Sequence, residues 1–488
     1  ASRHYPTEVD VTELHYLSAT QVLRAYNSGE LSPVEVFDAV SARADEVEPV
    51  INSLIERDPE VSRAQAVAAQ ERYAKGAPAG VLDGLPVVMK EEQPIAGRAM
   101  LLGTLWSDGW ISDETHPLVQ RTLDAGAIVH ARSTTPEFCC AGFTHSKLWG
   151  ITRNPWNPNF SPGGSSGGSG AALAAGTGYL ASGSDIGGSI RIPASFNGVV
   201  GYKAPFGRVP AMSPWNLDSY AVDGALARTV ADCALFQNVI AGQHPSDHVS
   251  MPKVTIPSEA VENPDVRGKR IAFAVTLGDF PIEPDVEANS RAFAEALRRA
   301  GAIVEEVEVP ILLEEVQTAA LAHWGSMMGP SMAELGPIDD ERFTDYARMF
   351  IEFSSAEFDR IGVYGAAQIE GKVQTAFGSV FADYDALICP TIGTSGFIAG
   401  ESYTENRINV AGRELDLYIM ACQTVPFNVA NRHPVLSVPS GRASNGVPTG
   451  VQVVARPYDD VTVFEVGAAA ERELGLNISP DWWPASIG

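Results

Sequence analysis

Cysteine is scarce in this chain and never paired by spacing: Cys139, Cys140, Cys233, Cys389 and Cys422 are five in number, and none forms a CxxC. That excludes a disulfide framework and a thiolate zinc site, and it points to reduced thiols and a cytoplasmic location. The nine histidines show neither HExxH nor HxH spacing, so no metal and no cofactor are expected. Basic residues are few as well, 34 against 60 acidic ones, for a formal net charge of −26. Such a surface repels phosphate backbones and anionic headgroups, which argues against nucleic acid and membrane as partners. From Asn154 to Ser184 no residue is charged, yet Gly and Ser fill about half of that stretch, leaving it short of the ~20 apolar residues of a bilayer span. The opening ASRHYPTEVD lacks the apolar segment of a secretion signal; it also lacks a Met, which leaves a removed leader or a trimmed start open.

What is present is a globular composition, 45% hydrophobic and 19% charged over 488 residues, enough for one large α/β domain or about three ordinary ones. The chain is organised around Ser161–Pro193, where two serine-bearing glycine clusters are joined by an alanine-rich segment. In Asp185-Ile186-Gly187-Gly188-Ser189, glycines without a Cβ let successive N–H groups turn toward one negative oxygen beside the Ser189 hydroxyl. Acyl transfer requires that pairing of nucleophile and oxyanion hole. A flexible Gly/Ser linker is the plain alternative, but a linker has no reason to run into Ile190-Arg191-Ile192-Pro193 and apolar sequence.

Phosphate-loop readings fail on detail. Gly163 and Gly168 have the glycine spacing of a P-loop, but Ser169 stands where its lysine should be, and GxGxxG is absent after Gly168-Ser169-Gly170. Two overlapping GxSxG matches, centred on Ser165 and Ser166, are a stronger rival. That elbow follows a buried strand, whereas Pro155, Pro158 and Pro162 break the segment before it.

The combination of GGSSGGSGAALAAG with GSDIGGSIRIPASFNGVVGYKAPFGRVP resembles the amidase signature family of serine hydrolases, and Ser165 and Ser189 stand at the spacing of that family's two catalytic serines. The likeness extends from about residue 20 to 475, through TRNPWNPNFSPGG, ALARTVADCALF, DALICPT and PVLSVPSG. It implies hydrolysis of a C–N amide bond, with carbamates and esters as further carbonyl substrates. Ser189 would be the nucleophile, Ser165 the relay and Lys90, ending LPVVMK, the base. Ile186, Gly187, Gly188 and Ser189 would supply oxyanion N–H groups, with Ser166, Asp185 and Arg191 in support. A serine hydroxyl needs a base at neutral pH, and Lys90 serves only when uncharged; burial against Val87, Val88 and Met89 favours that form. The plain alternative is a solvated lysine at a strand end.

The chain also departs from the family. Glu91 and Glu92 follow Lys90 where Asp-Asn is usual, and carboxylates oppose an uncharged lysine unless they point away. Ala131-Arg132-Ser133-Thr134-Thr135-Pro136-Glu137-Phe138 replaces a Lys-Thr-Asn-Thr-Pro-Glu-Phe segment, and Cys139-Cys140 follow at the expected pocket border.

Patterning predicts helices over 18–48 with Gly29 as a stop, over 60–75, 116–125 and 461–474, and from Pro284 to Ala300. Strands are predicted at Pro86–Met89, Ala127–His130, Arg270–Val275, Ile303–Val309, Ala386–Cys389, Val435–Val438 and Val451–Val454. The expected fold is α/β: residues 1–488 as a single large α/β/α domain, a mixed central sheet flanked by helices on both faces. Residues about 80–235 and 380–475 would form the catalytic core. Residues about 311–380, rich in Met and aromatics (Trp324, Met327, Met328, Met332, Met349, Phe350, Phe353), would be a helical substrate-pocket segment or ordinary core.

Three readings follow. One is a stand-alone amidase, monomer or homodimer, acting on a small apolar or aryl amide or carbamate. Another is the amidase component of a tRNA-dependent amidotransferase, which works with partner subunits. The third is a Ser-His-Asp esterase with Ser165 or Ser166 in the elbow and His433 as base.

Overall fold

A computed structural model describes residues 11–107, 109–484 and 487. The opening ten residues, read above for a leader, lie outside the described residues. The apolar run before Lys90 forms a fully buried strand, Pro86–Lys90, one of eleven in a single mixed sheet. In chain order these are β1 (Leu54–Ile55), β2 (Pro86–Lys90), β3 (Ile128–Ser133), β4 (Leu180–Asp185), β5 (Val200–Lys203), β6 (Val222–Ala227), β7 (Arg270–Phe273), β8 (Ile303–Glu306), β9 (Ala386–Pro390), β10 (Val435–Arg442) and β11 (Pro448–Ala455). Their spatial order is β1-β3-β2-β4-β6-β5-β10-β11-β9-β7-β8. Neighbours β3-β2-β4 run parallel, as do β9-β7-β8, while the strands between β4 and β9 pair antiparallel. Helices cover both faces, so this is one α/β domain of the expected kind.

The period-2 geometry of β2 decides where Lys90 goes. Val87 and Met89 pack into the core beneath Leu118 and Val119. Val88 points to the opposite face, against Ala172, Leu173 and Ala174. Lys90, two residues on, therefore shares the Val88 face. Those alanines belong to α1 (Gly167–Ala175), whose residues are all buried and whose end is capped by Gly176 at φ +80°. Small residues let this helix lie directly on the sheet. A Cβ on Gly168 would stand 2.6 Å from Thr134 N and 2.7 Å from Ser53 O. After β4 the chain turns into α2 (Arg191–Asn197), and across the opening stand α3 (Leu313–Trp324) and α4 (Asp345–Asp383), the latter interrupted at Gly362.

The predicted elements are found within a few residues. Ser18 and Ser32 each close a capping box, with Gln21 and Glu35, at the first two helices. The predicted strand at 127–130 begins one residue later and extends to Ser133, and the one at 303–309 ends at Glu306. β4, β5 and β6 are additions that patterning missed. Among the described residues no helix is long and apolar enough to cross a membrane.

Gly168→Ala should lower stability by ~1–3 kcal/mol, because the backbone at Thr134, just past β3, and at Ser53 cannot yield to the added methyl. Gly371→Ala, in α4 with open space around it, should raise stability by about 0.5–1 kcal/mol. Denaturant melts of the two variants check this, and equal effects would contradict the packing described.

Candidate active site

Lys90 has none of its side chain exposed, and each of its three ammonium protons has an acceptor. Nζ lies 2.7 Å from Ser165 Oγ, 2.8 Å from Ser184 Oγ and 2.8 Å from Glu92 Oε2. Its backbone N–H donates to Ser182 Oγ at 2.9 Å, so β4 fixes both ends of the residue. Ser182 in turn donates to Gln93, whose amide donates to Asp223 at 2.7 Å.

The two glutamates after Lys90 divide. Glu91 turns away: it accepts from the N–H groups of Leu101 and Leu102 and faces Arg132, and burial pushes its carboxyl up to about 7. Glu92 turns in. Burial alone pulls the Lys90 ammonium toward neutrality, as expected from sequence, but the Glu92 carboxylate in contact with it at 2.8 Å, with Asp223 behind, opposes burial and the group is held above its ordinary value. Burial also keeps the Cys139 thiol well above its own ordinary value and hence neutral, so Glu92 is the charge that faces Lys90 at close range. This corrects the expectation of a resting uncharged lysine.

Ser165 follows a cis Gly164–Ser165 peptide. Close packing surrounds this turn: a Cβ on Gly164 would meet Phe143 O at 2.3 Å. Ser166 does not touch Lys90. Its N–H donates to Ser189 O at 3.2 Å, and its Oγ lies 3.3 Å from Ser184 N, so it ties the two glycine clusters together. Gly183 makes room for it, since a Cβ there would meet Ser166 Oγ at 2.7 Å.

The loop from Asp185 to Ser189 is braced from below by a buried ion pair. Arg191 donates through Nε and Nη2 to both oxygens of Asp185, at 3.0 and 2.8 Å, and neither side chain has any exposed surface. Burial raises the Asp185 carboxyl, but the Arg191 guanidinium and Asn428 win and hold it below the usual range. Asn428 donates to Asp185 Oδ1 at 2.8 Å, and Arg191 also reaches Thr424 O and Gln452.

Gly188, expected as an oxyanion donor, instead gives its N–H to Asp185 Oδ1 at 2.9 Å. At φ +127° it accommodates Thr424, whose Oγ1 a Cβ would meet at 2.1 Å. The N–H groups of Ile186, Gly187 and Ser189 have no intramolecular acceptor among the described residues. They are the donors the loop leaves available.

Ser189 opens on a cavity walled by Cys139, Cys140, Trp324, Met328, Phe350 and Tyr418, among other apolar groups. No charged side chain lines it among the described residues. Of the two tyrosine hydroxyls, Tyr346 accepts from Glu137 N and donates to His145 O, and Tyr418 accepts from Gly142 N. Trp324, Met328, Met349, Phe350 and Phe353 are wall residues as the sequence suggested. Met327 and Met332 are not; Met332 is core, 2% exposed.

Several residues here escaped sequence reasoning. Ser184 stands two positions beyond Ser182 on β4, and that repeated hydroxyl was the available signal. Leu321, Leu417 and Ile419 carry no motif at all.

His433 is far from the elbow role. Its Nδ1 lies 2.7 Å from Ala455 O, its ring stacks on Phe381, and burial lowers it to about 4. Ser165 and Ser166 also follow loop rather than strand, so the Ser-His-Asp arrangement is not assembled. Among the described residues no group of three or more His, Cys, Asp or Glu could hold a metal ion.

Comparison with known proteins gives a coherent result. A family model described as Amidase matches residues 35–464. A glutamyl-tRNA(Gln) amidotransferase subunit of Chloroflexus aggregans (strain MD-66 / DSM 9485) is 33% identical over 491 residues, covering 95% of this chain and 97% of that protein. The crystal structure of a bacterial aryl acylamidase of the amidase signature family superposes with a TM-score of 0.88 at 26% identity, over 97% of this chain and 100% of that one. The corresponding glutamyl-tRNA(Gln) amidotransferase subunit from Thermotoga maritima gives 0.76 at 27% identity, over 95% and 96%.

Asp185→Ala leaves the buried Arg191 guanidinium without its counter-charge and should destabilise the fold by about 3–5 kcal/mol. Thermal and denaturant unfolding report it, and an unchanged midpoint would mean that the pair does not brace the loop.

Proposed function

The chain belongs to the amidase signature family of C–N hydrolases, and on that premise we propose that it is a stand-alone amidase for uncharged, apolar or aryl amides, using Ser189, Ser165 and Lys90. The observation that carries this reading is a lysine hydrogen-bonded to Ser165 at 2.7 Å, set behind a cavity that presents Ser189 and no charged side chain.

Each step follows from a residue in place. Ser189 Oγ attacks the carbonyl carbon; its proton passes to Ser165, whose own proton moves to Lys90 Nζ. The carbonyl oxygen, now negative, accepts from Ile186, Gly187 and Ser189 N–H groups held by the Asp185 brace, an arrangement in which one donor is typically worth ~10²–10³ in turnover. The relay then returns a proton to the leaving nitrogen, and water attacks the acyl-enzyme by the same path. Carbamates and esters offer the same carbonyl to the same donors. Residues about 80–235 and 380–475 supply this chemistry, and residues about 311–380 supply one side of the wall that selects the substrate, Leu321, Trp324, Met328, Met349, Phe350 and Phe353 among them.

The wall separates this reading from its rival, a component of an amidotransferase, which the 33% identity to the Chloroflexus protein favours. Glutamine carries an α-ammonium and an α-carboxylate, and desolvating either without a partner is costly. An aryl group gains instead by area burial, roughly 25 cal/mol per Å².

Ser189→Ala and Lys90→Ala should each lose at least ~10³-fold in turnover with the fold retained. Because Lys90 acts only after losing its proton and its surroundings favour the charged form, activity should rise from neutral toward alkaline pH. A hydrolysis panel of neutral anilides, aliphatic amides, aryl carbamates and free glutamine tests the substrate class. Faster glutaminase than anilidase activity would transfer the assignment to the amidotransferase reading.

A further inference from the structure

Of the three acceptors around the Lys90 ammonium, Ser165 and Ser184 are neutral and Glu92 is a carboxylate. Among the described residues no second cation pairs with Glu92. Its other contact is the Cys139 thiol, and Glu91 beside it is turned to Leu101, Leu102 and Arg132. The groups acting on Lys90 from the packed elements are Cys139 on the loop after β3, Glu92 on the turn after β2, and Asp223 on β6. The Cys139 thiol is neutral, and Asp223 is taken up by Gln93 at 2.7 Å and by His116 at 3.4 Å. Among the described residues, only Glu92 touches the nitrogen with a full charge.

A carboxylate in contact with a catalytic lysine has two opposed effects. At rest it stabilises the ammonium, so fewer molecules have the base in its active form at neutral pH. During acylation it stabilises that same ammonium as the Ser165 proton arrives, displaced by the one from Ser189, which makes the base stronger. We propose that Glu92 is a positioning residue for Lys90, holding its ammonium both at rest and as it forms in the acylation step, and thereby setting the pH range over which the enzyme works. No atom is consumed: as the Ser189 proton passes to Ser165, the Ser165 proton moves to Lys90 beside the Glu92 carboxylate, and the same relay run in reverse delivers a proton to the leaving nitrogen. The inference rests on Lys90 being the base of the proposed mechanism.

The sign of the effect is fixed. Removing the carboxylate lowers the proton affinity of Lys90, so the acid limb moves to lower pH. The base is then weaker, so the alkaline rate falls.

The test is the pH dependence of kcat/KM for a neutral nitroanilide, wild type against Glu92→Gln and Glu92→Asp. The ratio of Glu92→Gln to wild type should fall at least about threefold between about pH 7 and about pH 10, with the variant levelling off where the wild type still climbs. Glu92→Asp, which keeps the charge, should restore most of the wild-type profile. A constant ratio across the range would overturn the proposal, since a merely structural role scales all rates alike. Should Glu92→Gln fail to fold, the pH dependence of fluorophosphonate labelling in Glu92→Asp decides: a wild-type profile is expected, and a displaced one contradicts the charge pairing. Lys90→Ala separates the two readings. An active Lys90→Ala would sink the mechanism itself, whereas an inactive one beside an unshifted Glu92→Gln profile would remove only the role of Glu92.

Discussion

A lysine with no exposed surface must find an acceptor for each ammonium proton, because every unpaired one carries the cost of lost hydration. Much of the local architecture around Lys90 meets that demand. The end of β2 places it on the α1 face of the sheet, Ser165 reaches it from the first glycine cluster, Ser184 from β4 and Glu92 from the turn just after it. The elements that converge on the nitrogen are thus the same ones that would carry a proton from Ser189. Satisfaction of a buried charge and assembly of the proposed relay are one geometric problem here.

A second buried charge pair solves the complementary problem. A loop whose N–H groups are to stay free cannot be stabilised by its own backbone hydrogen bonds. Asp185 and Arg191 do this from beneath: the carboxylate captures Gly188 and Ile190 N–H groups, leaving those of Ile186, Gly187 and Ser189 without internal partners among the described residues. Above the loop, Trp324 packs where a side chain on Gly187 would stand, a Cβ lying 3.0 Å from its ring, and donates to Ile186 O. The loop is braced on one side and faces an apolar wall on the other, the setting in which the proposed mechanism would present fixed donors rather than water to a developing charge.

Much of this was legible from residues. A continuous apolar run ending in lysine identified β2 and the direction of its last residue, and Asp-Ile-Gly-Gly-Ser pointed to a loop with unpaired N–H groups. What stayed hidden has physical reasons. Strand β4, Leu-Ala-Ser-Gly-Ser-Asp, has weak strand propensity and is held by its neighbours β2 and β6 rather than by its own sequence. The direction of Glu91 and Glu92 depends on whether Leu101 and Leu102 N–H groups lie close by, a long-range fact. The commitment of Gly188 to Asp185 likewise follows from one hydrogen bond that spacing cannot reveal. The cavity wall mixes α3, α4 and the 417–419 segment, which meet only in the folded chain.

The proposed mechanism stands on an acyl group carried by Ser189. The most direct measurement is rapid acid quench during turnover of an activated aryl ester, followed by proteolysis and mass mapping of the adduct. An acyl group that accumulates on Ser189 and then disappears is expected, with no adduct in Ser189→Ala. An acyl group on Ser165, Ser166 or Cys139, persisting in Ser189→Ala, would contradict it.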